Sequence, residues 1–159
     1  MICIIFILLM IIFILVRIIK YEDDLLVQNE IKKQQNMQLY ELMLKWFEND
    51  RKQINLEKFF VDNDVKEIAI YGKGKLGELF FFDITKTHHI DYVCWIDKAL
   101  ATDLKQEIKI FNIADVNEYA NVDMIVVTPI QYYDDIEKEL YSLGIRTEIV
   151  SLEDIVFSI

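Results

Sequence analysis

Three of the four glycines in this chain, Gly72, Gly74 and Gly77, stand at GxGxxG spacing between a short β-branched run and a helical one. A sequence so poor in glycine has little chance of placing three of them there by accident. Lys66–Tyr71 (KEIAIY) reads as a strand, and Lys75–Thr85 as a helix that turns Leu76, Leu79, Phe80 and Ile84 inward. Each glycine then has a mechanical task. Gly72 permits the tight turn off the strand. Gly74 lets backbone approach a pyrophosphate with no Cβ in the way, and Gly77 lets the helix lie close to the strand. The N–H groups that open the helix, at the positive end of its dipole, hold an anion.

A second strand, Ile90–Ile96, is followed by Asp97, twenty residues after Gly77, where an acid binds ribose hydroxyls. An acid there favours NAD over NADP because it repels a 2′-phosphate, and Lys98 beside it softens that preference. The expected ligand is therefore NAD, with NADP or a UDP-sugar as alternatives. Lys73, Lys75 and Leu76 lie within the loop and the helix start; the two lysines read equally well as phosphate contacts and as solvated loop residues. Thr128 follows the strand Met124–Thr128 at the same carboxyl edge of the sheet, which makes it a further candidate contact. Ile108–Phe111 and Thr147–Ser151 complete the strands. Ile113–Tyr119 is a short helix or turn, Gln131–Leu143 is a helix stopped by Gly144, and Ser151 caps a terminal helical turn. The alternation predicts an α/β fold, a Rossmann-like doubly wound parallel sheet of about five strands.

Charge narrows the function classes. The formal net charge is −10, and residues 64–159 carry nine Lys/Arg against eighteen Asp/Glu. So acidic a body argues against nucleic-acid binding, which depends on neutralising phosphates. Cys3 and Cys94 lie in an apolar terminus and a buried strand, so no disulfide is expected. His88-His89 has no acid or thiol at ligand spacing, so no metal site is assigned.

The N-terminus reads differently. Ile2–Val16 is fifteen consecutive apolar residues, extended past Arg17 by Ile18-Ile19. A spanning helix needs about 20 residues, with a range from about 17. No basic residue precedes the run and Arg17, Lys20, Tyr21 and Glu22 follow it, which describes an uncleaved anchor rather than a signal peptide. Arg17, Lys20, Lys32 and Lys33 on the C-terminal side predict a single-pass protein of the inner (cytoplasmic) membrane with a cytoplasmic C-terminal domain. Tyr21 to Arg51 contains neither Gly nor Pro. Leu39, Leu42, Met43, Trp46 and Phe47 form a helical stripe, of which Trp46 and Phe47 are expected to dock on the following domain or a partner helix. Asn55 is read as the cap of a short helix over Leu56–Val61. The expected organisation is an anchor at 1–20, a helical stalk at 21–63 and a nucleotide-binding domain at 64–159.

No catalytic residue is assigned. The only Tyr-x-x-x-Lys pair, Tyr71 and Lys75, straddles the strand and the glycine loop, and neither a nucleophile elbow nor a Walker A sequence is present. The segments IAIYGKGKLGELFF, VCWIDKAL, VDMIVVTPIQYYDDIEKEL and IVSLEDIV are similar to small Rossmann-like proteins of bacterial surface-polysaccharide clusters. These proteins are often described as nucleoside-diphosphate-sugar epimerase-like, and the similarity covers residues 37–159. The resemblance implies an auxiliary role in capsule or envelope glycan assembly, nucleotide contacts at Gly72, Gly74, Gly77 and Asp97, and a glycosyltransferase or another polysaccharide-synthesis protein as partner. Two other readings stay open. One is a NAD-sensing regulator of a membrane transporter, and the other is an epimerase or oxidoreductase completed by a partner chain.

Overall fold

In the computed structural model, residues 2–98 and 108–159 are described, with side chains described from Met10 onward. The chain forms two compact units, Met1–Tyr40 and Glu41–Ile159. A single helix, α1 (Ile2–Arg51), accounts for the first unit and supplies the opening residues of the second. Its length follows from a segment with no Gly or Pro to interrupt it. It stops where Gln53 adopts the left-handed region (φ 58°) and the Ile54 N–H turns back to the Asn49 carbonyl.

Within the first unit, the side chains from Met10 to Ile19 are all exposed. Among the described residues no helix is long and apolar enough to cross a membrane. The expected transmembrane helix is thus not found there. Half of the apolar run falls on side chains 2–9, outside those described, and Met10–Ile19 alone is well short of the about 20 residues a span needs.

In the second unit the end of α1 is amphipathic. Leu42 is fully buried and Trp46 packs on the core, donating its indole N–H to Asp83 at 3.1 Å. Met43 and Phe47, which share the stripe, stay largely exposed. Helix α2 (Glu57–Asp62) follows. Its N-cap is Leu56 rather than Asn55, and no side chain caps it; Asn55 contributes its backbone carbonyl to the Lys58 N–H instead. Asp64 then takes a left-handed conformation (φ 53°), which a short polar side chain tolerates.

Five parallel strands follow: β1 (Glu67–Tyr71), β2 (Tyr92–Ile96), β3 (Ile110–Phe111), β4 (Met124–Val127) and β5 (Glu148–Ser151), in the order β3-β2-β1-β4-β5. Helices α3 (Lys75–Ile84), α4 (Tyr133–Ser142) and α5 (Leu152–Ser158) complete the unit. Alternation along each strand sends side chains to two cores. Ile68, Ile70, Trp95, Met124 and Val126 meet the end of α1, α2, α3 and α5. Ala69, Tyr71, Cys94, Ile96, Ile125 and Val127 face Tyr119 and α4. With both faces covered, β4 is apolar throughout. This is the Rossmann-like doubly wound arrangement that the alternation of elements predicts.

Three local expectations differ in detail. Leu79 of α3 is exposed, and Phe81 turns inward against Trp95 in its place. The segment after β4 opens with a 3₁₀ turn over Ile130–Tyr132 before α4 begins at Tyr133. The segment over Ile113–Tyr119 shortens to a 3₁₀ turn at Val116–Glu118. Gly144 (φ 91°) ends α4, and the Ser151 hydroxyl accepts the Glu153 N–H at 3.2 Å to cap α5. Asp123 pins the start of β1 to that of β4 by accepting the N–H groups of Lys66 and Glu67, both at 2.9 Å.

Because Leu42 is buried in the core of the second unit and Tyr40 is exposed, the two should respond differently to truncation. Leu42→Ala is expected to lower unfolding free energy by about 2–5 kcal/mol. Tyr40→Ala should stay within about 0.5 kcal/mol of the parent. Urea unfolding of both variants checks this.

Candidate functional site

The chain steps outward from β1 through β2 to β3, then crosses back to lay β4 against the other side of β1. Carboxyl ends of strands flanking such a reversal splay apart and leave a crevice, the position where open α/β sheets take ligands. Here a cleft of ≈ 380 Å³ opens there, lined by Tyr71 at the end of β1 and Gly72 after it, Asp97 and Lys98 after β2, and Pro129, Tyr132, Asp135, Ile136 and Glu139 after β4.

The glycine loop is held by neighbours on both sides. Gly72 adopts a left-handed conformation (φ 94°), and its N–H donates to the Ile96 carbonyl at 2.9 Å. A Cβ on Gly72 would meet the Pro129 ring at 2.9 Å. A Cβ on Gly77 would lie 2.2 Å from the Gly72 carbonyl oxygen and 3.0 Å from Trp95. Close contact between α3 and the turn off β1 is therefore possible only with hydrogen at that position. Gly74 is different: it caps α3 with ordinary dihedrals (φ −89°), and a Cβ there would meet nothing within 4 Å. Its side faces open space. No side chain caps α3, so the first-turn amides, which have no acceptor within the helix, are oriented for an anion.

The other singled-out residues fall around this loop. Asp97 Oδ2 accepts the Lys73 N–H at 2.8 Å, which ties the glycine loop to the end of β2. Lys98 reaches across to α4 and pairs with Glu139 at 2.7 Å, a contact that raises the lysine's pKa. Lys75 is almost wholly exposed and pairs with Glu78 at 3.0 Å, while Leu76 packs on the core. Thr128 lies beneath the loop, 2 % exposed, and its hydroxyl donates to the carbonyls of Tyr71 and Gly72, each at 3.0 Å. The structure thus brings Gly72, Asp97 and Lys98 together in the cleft wall, sets Gly74 and Lys75 at the helix mouth, and turns Leu76, Gly77 and Thr128 into the support beneath.

Six of the described cleft residues escape the sequence reading: Tyr71, Pro129, Tyr132, Asp135, Ile136 and Glu139. A signal for three of them exists. Alternation along β1 puts Tyr71 on the face opposite Ile70, and Asp135 and Glu139 stand one helical turn apart on α4. Tyr71 and Lys75 also point to different places, since Tyr71 belongs to the α4 side of the sheet and Lys75 to the surface of α3.

Several protonation shifts lie in the same half of the molecule. Burial pushes the Tyr119 hydroxyl up to about 12 and the Cys94 thiol up to about 11. Tyr133 is raised by burial and by its hydrogen bond to Glu137. Tyr71 is raised mainly by burial, with Lys98 opposing and Glu139 and Asp97 reinforcing. These shifts carry the pKa values further above neutral pH and hold the groups protonated, whereas a proton-transfer catalyst wants a value near the working pH.

Residues 64–150 match the family model described as C2185-like, N-terminal, and the chain belongs to that family. The description names neither a ligand nor a reaction. No curated protein matches the chain. Among the solved structures that resemble parts of it are two enzymes. One is an engineered D-amino acid dehydrogenase bound to NADP+ (28% identity, TM-score 0.35), and the match covers 40% of this chain and 19% of that one. The other is the C. glutamicum DAP dehydrogenase in complex with DAP (24% identity, TM-score 0.39), with 46% and 24% covered. The matched part is thus under a quarter of the length of either enzyme, and at these TM-scores neither likeness bears on what this chain binds.

The geometry separates two glycines that a motif treats alike. Gly77→Ala should cost about 1–3 kcal/mol or more, because a methyl group there meets a backbone oxygen that cannot move away alone. Gly74→Ala should cost under about 1 kcal/mol, the loss of a tolerable N-cap residue. Thermal unfolding of the two variants, compared with the parent, reads this difference.

Proposed function

We propose that this member of the C2185-like N-terminal family is a nucleotide-binding module that takes NAD in preference to NADP or a UDP-sugar. One observation carries the reading: the cleft at the strand-order reversal takes in Gly72, two residues before the uncapped start of α3 at Gly74. Phosphates would lie over Gly74 and the first amides of α3, with Lys73 and Lys75 close by in sequence. The nucleoside would enter the cleft, where Asp97 accepts from ribose hydroxyls as it already accepts from the Lys73 N–H. A carboxylate accepts several hydrogen bonds at once, so the two roles are compatible. Asp97, Asp135 and Glu139 outnumber Lys98 in the lining, which disfavours a further phosphate on the ribose.

The proposal extends to setting. The apolar run Ile2–Ile19 with basic residues after it supports a membrane anchor and a cytoplasmic body. The similarity of the four quoted segments to polysaccharide-cluster proteins supports an auxiliary role beside a glycan-building enzyme. In that setting the module binds rather than turns over its nucleotide.

Calorimetry of the full chain with NAD, NADP, a UDP-sugar and coenzyme A tests the ligand. NAD should bind tightest, with NADP weaker by roughly tenfold, about 1.4 kcal/mol. Heat from none of the four would end the nucleotide reading. Gly74→Asp is the matching variant: Asp is a favoured N-cap residue, so the fold should hold while a negative charge fills the phosphate position and binding is lost.

Membrane attachment is tested separately, by fractionating cells that express either the full chain or the chain from Tyr21 onward. The first should sediment with membranes and the second should stay in the supernatant. Equal partitioning of both would remove the anchor.

A further inference from the structure

We infer that the hydroxyl of Tyr71 is the hydrogen-bonding floor of the nucleoside pocket and sets affinity for the nucleoside part of the ligand. The inference rests on the nucleotide-binding reading and deepens it by naming a recognition residue that lies outside the glycine fingerprint.

Tyr71 is the last residue of β1, directly before the turn at Gly72. Alternation sends Ile70 to the α3 side and Tyr71 to the α4 side, where it packs with Ile96, Val127 and Ile136. The residue is 5 % exposed and lines the cleft. A phenol so deeply placed ordinarily has its O–H satisfied. Its neighbours on the same face follow that rule. The Tyr119 hydroxyl donates to the Ile113 carbonyl, and the Tyr133 hydroxyl makes 2.9 Å contacts with Glu137 and the Ile149 carbonyl. No hydrogen bond within the described residues engages the Tyr71 hydroxyl. The charged groups within its electrostatic reach are Lys98, Glu139 and Asp97, and all three line the cleft. The ring is therefore packed among apolar side chains while the hydroxyl opens to the cleft.

The surroundings say what kind of group the hydroxyl meets. Carboxylates dominate the described lining, and the single ammonium among the described lining residues, that of Lys98, is already paired with Glu139. Such a pocket accepts from donors and repels anions, so it suits ribose hydroxyls and an amine-bearing base rather than phosphate. The phosphates of the same ligand are served by the start of α3. Tyr71 ends β1 one residue before the glycine turn, next in sequence to the place proposed for the phosphates.

Tyr71→Phe removes one oxygen and leaves the ring to pack. In the unliganded chain no described protein group loses a partner, so the melting temperature should be unchanged or higher. Affinity of the full chain for NAD and for ADP, by calorimetry, should fall about 3- to 10-fold, the loss of one neutral hydrogen bond. Parent-like affinity in the Phe variant would overturn the inference while leaving nucleotide binding intact. So would a lowered melting temperature without loss of affinity, which marks a packing role. Failure of the parent chain itself to bind either nucleotide would instead remove the reading beneath it.

Discussion

The contact on which the glycine-loop region depends is the approach of α3 to the turn off β1, where Gly77 sits against the Gly72 carbonyl. A Cβ at 2.2 Å from that oxygen is impossible without moving the backbone. Hydrogen at position 77 is therefore a condition for α3 to begin where it does, with its amides facing the space over Gly74. From the far side, the Thr128 hydroxyl grips the carbonyls of Tyr71 and Gly72, and Pro129 closes over Gly72. Asp97 draws in the Lys73 N–H from the β2 end. The loop is fixed from three strands at once, so the proposed ligand would meet it already in shape, with little ordering cost left to be met on binding.

This arrangement also divides the work between support and contact. Gly72, Gly77 and Thr128 are fully accounted for by the protein around them. Gly74 is not, because its missing Cβ would meet nothing. Position 74 is where the proposed approach of a phosphate would account for a glycine that the surrounding protein does not itself require. The same division appears among the tyrosines facing α4, where Tyr119 and Tyr133 are satisfied within the fold and Tyr71 lines the cleft with no hydrogen bond to its hydroxyl from the described residues.

Much of this was legible in the sequence for a simple reason. Strand and helix periodicities, and the steric demands behind glycine spacing, are local properties, and all five strands and the loop follow from them. What escaped reading depends on contacts between distant segments. Thr128 looks like an edge residue available to a ligand, but its hydroxyl is drawn under the loop by carbonyls more than fifty residues away. Leu79 and Phe81 both suit a helix face, and the choice between them was made by Trp95 on β2. Asn55 has the chemistry of a cap, yet the turn gave the N-cap place to Leu56. Glu139 and Asp135 read as solvated helix charges until the β4–α4 crossing carries them to the cleft. The run over residues 2–19 stands apart, since its signal is compositional and the described residues form no helix long and apolar enough to cross a membrane.

The ion pair between Lys98 and Glu139 shows how such a cleft can be both closed and accessible. It joins the loop after β2 to α4 at the rim, at 2.7 Å, yet both side chains keep substantial exposure, 58% and 38%. Pairs so exposed contribute about 0–1 kcal/mol, so opening one costs little against the binding energy of a nucleotide. With the pair in place, the lysine's charge is spent on Glu139 and the interior field is set by Asp97 and Asp135. If an incoming phosphate drew Lys98 away, Glu139 would be left as an uncompensated third carboxylate beside it. The pair thus resists an anion inside the cleft more than it resists a neutral nucleoside. Selectivity of this kind arises from a repulsion that the wrong ligand uncovers, and it requires no additional attraction to the right one.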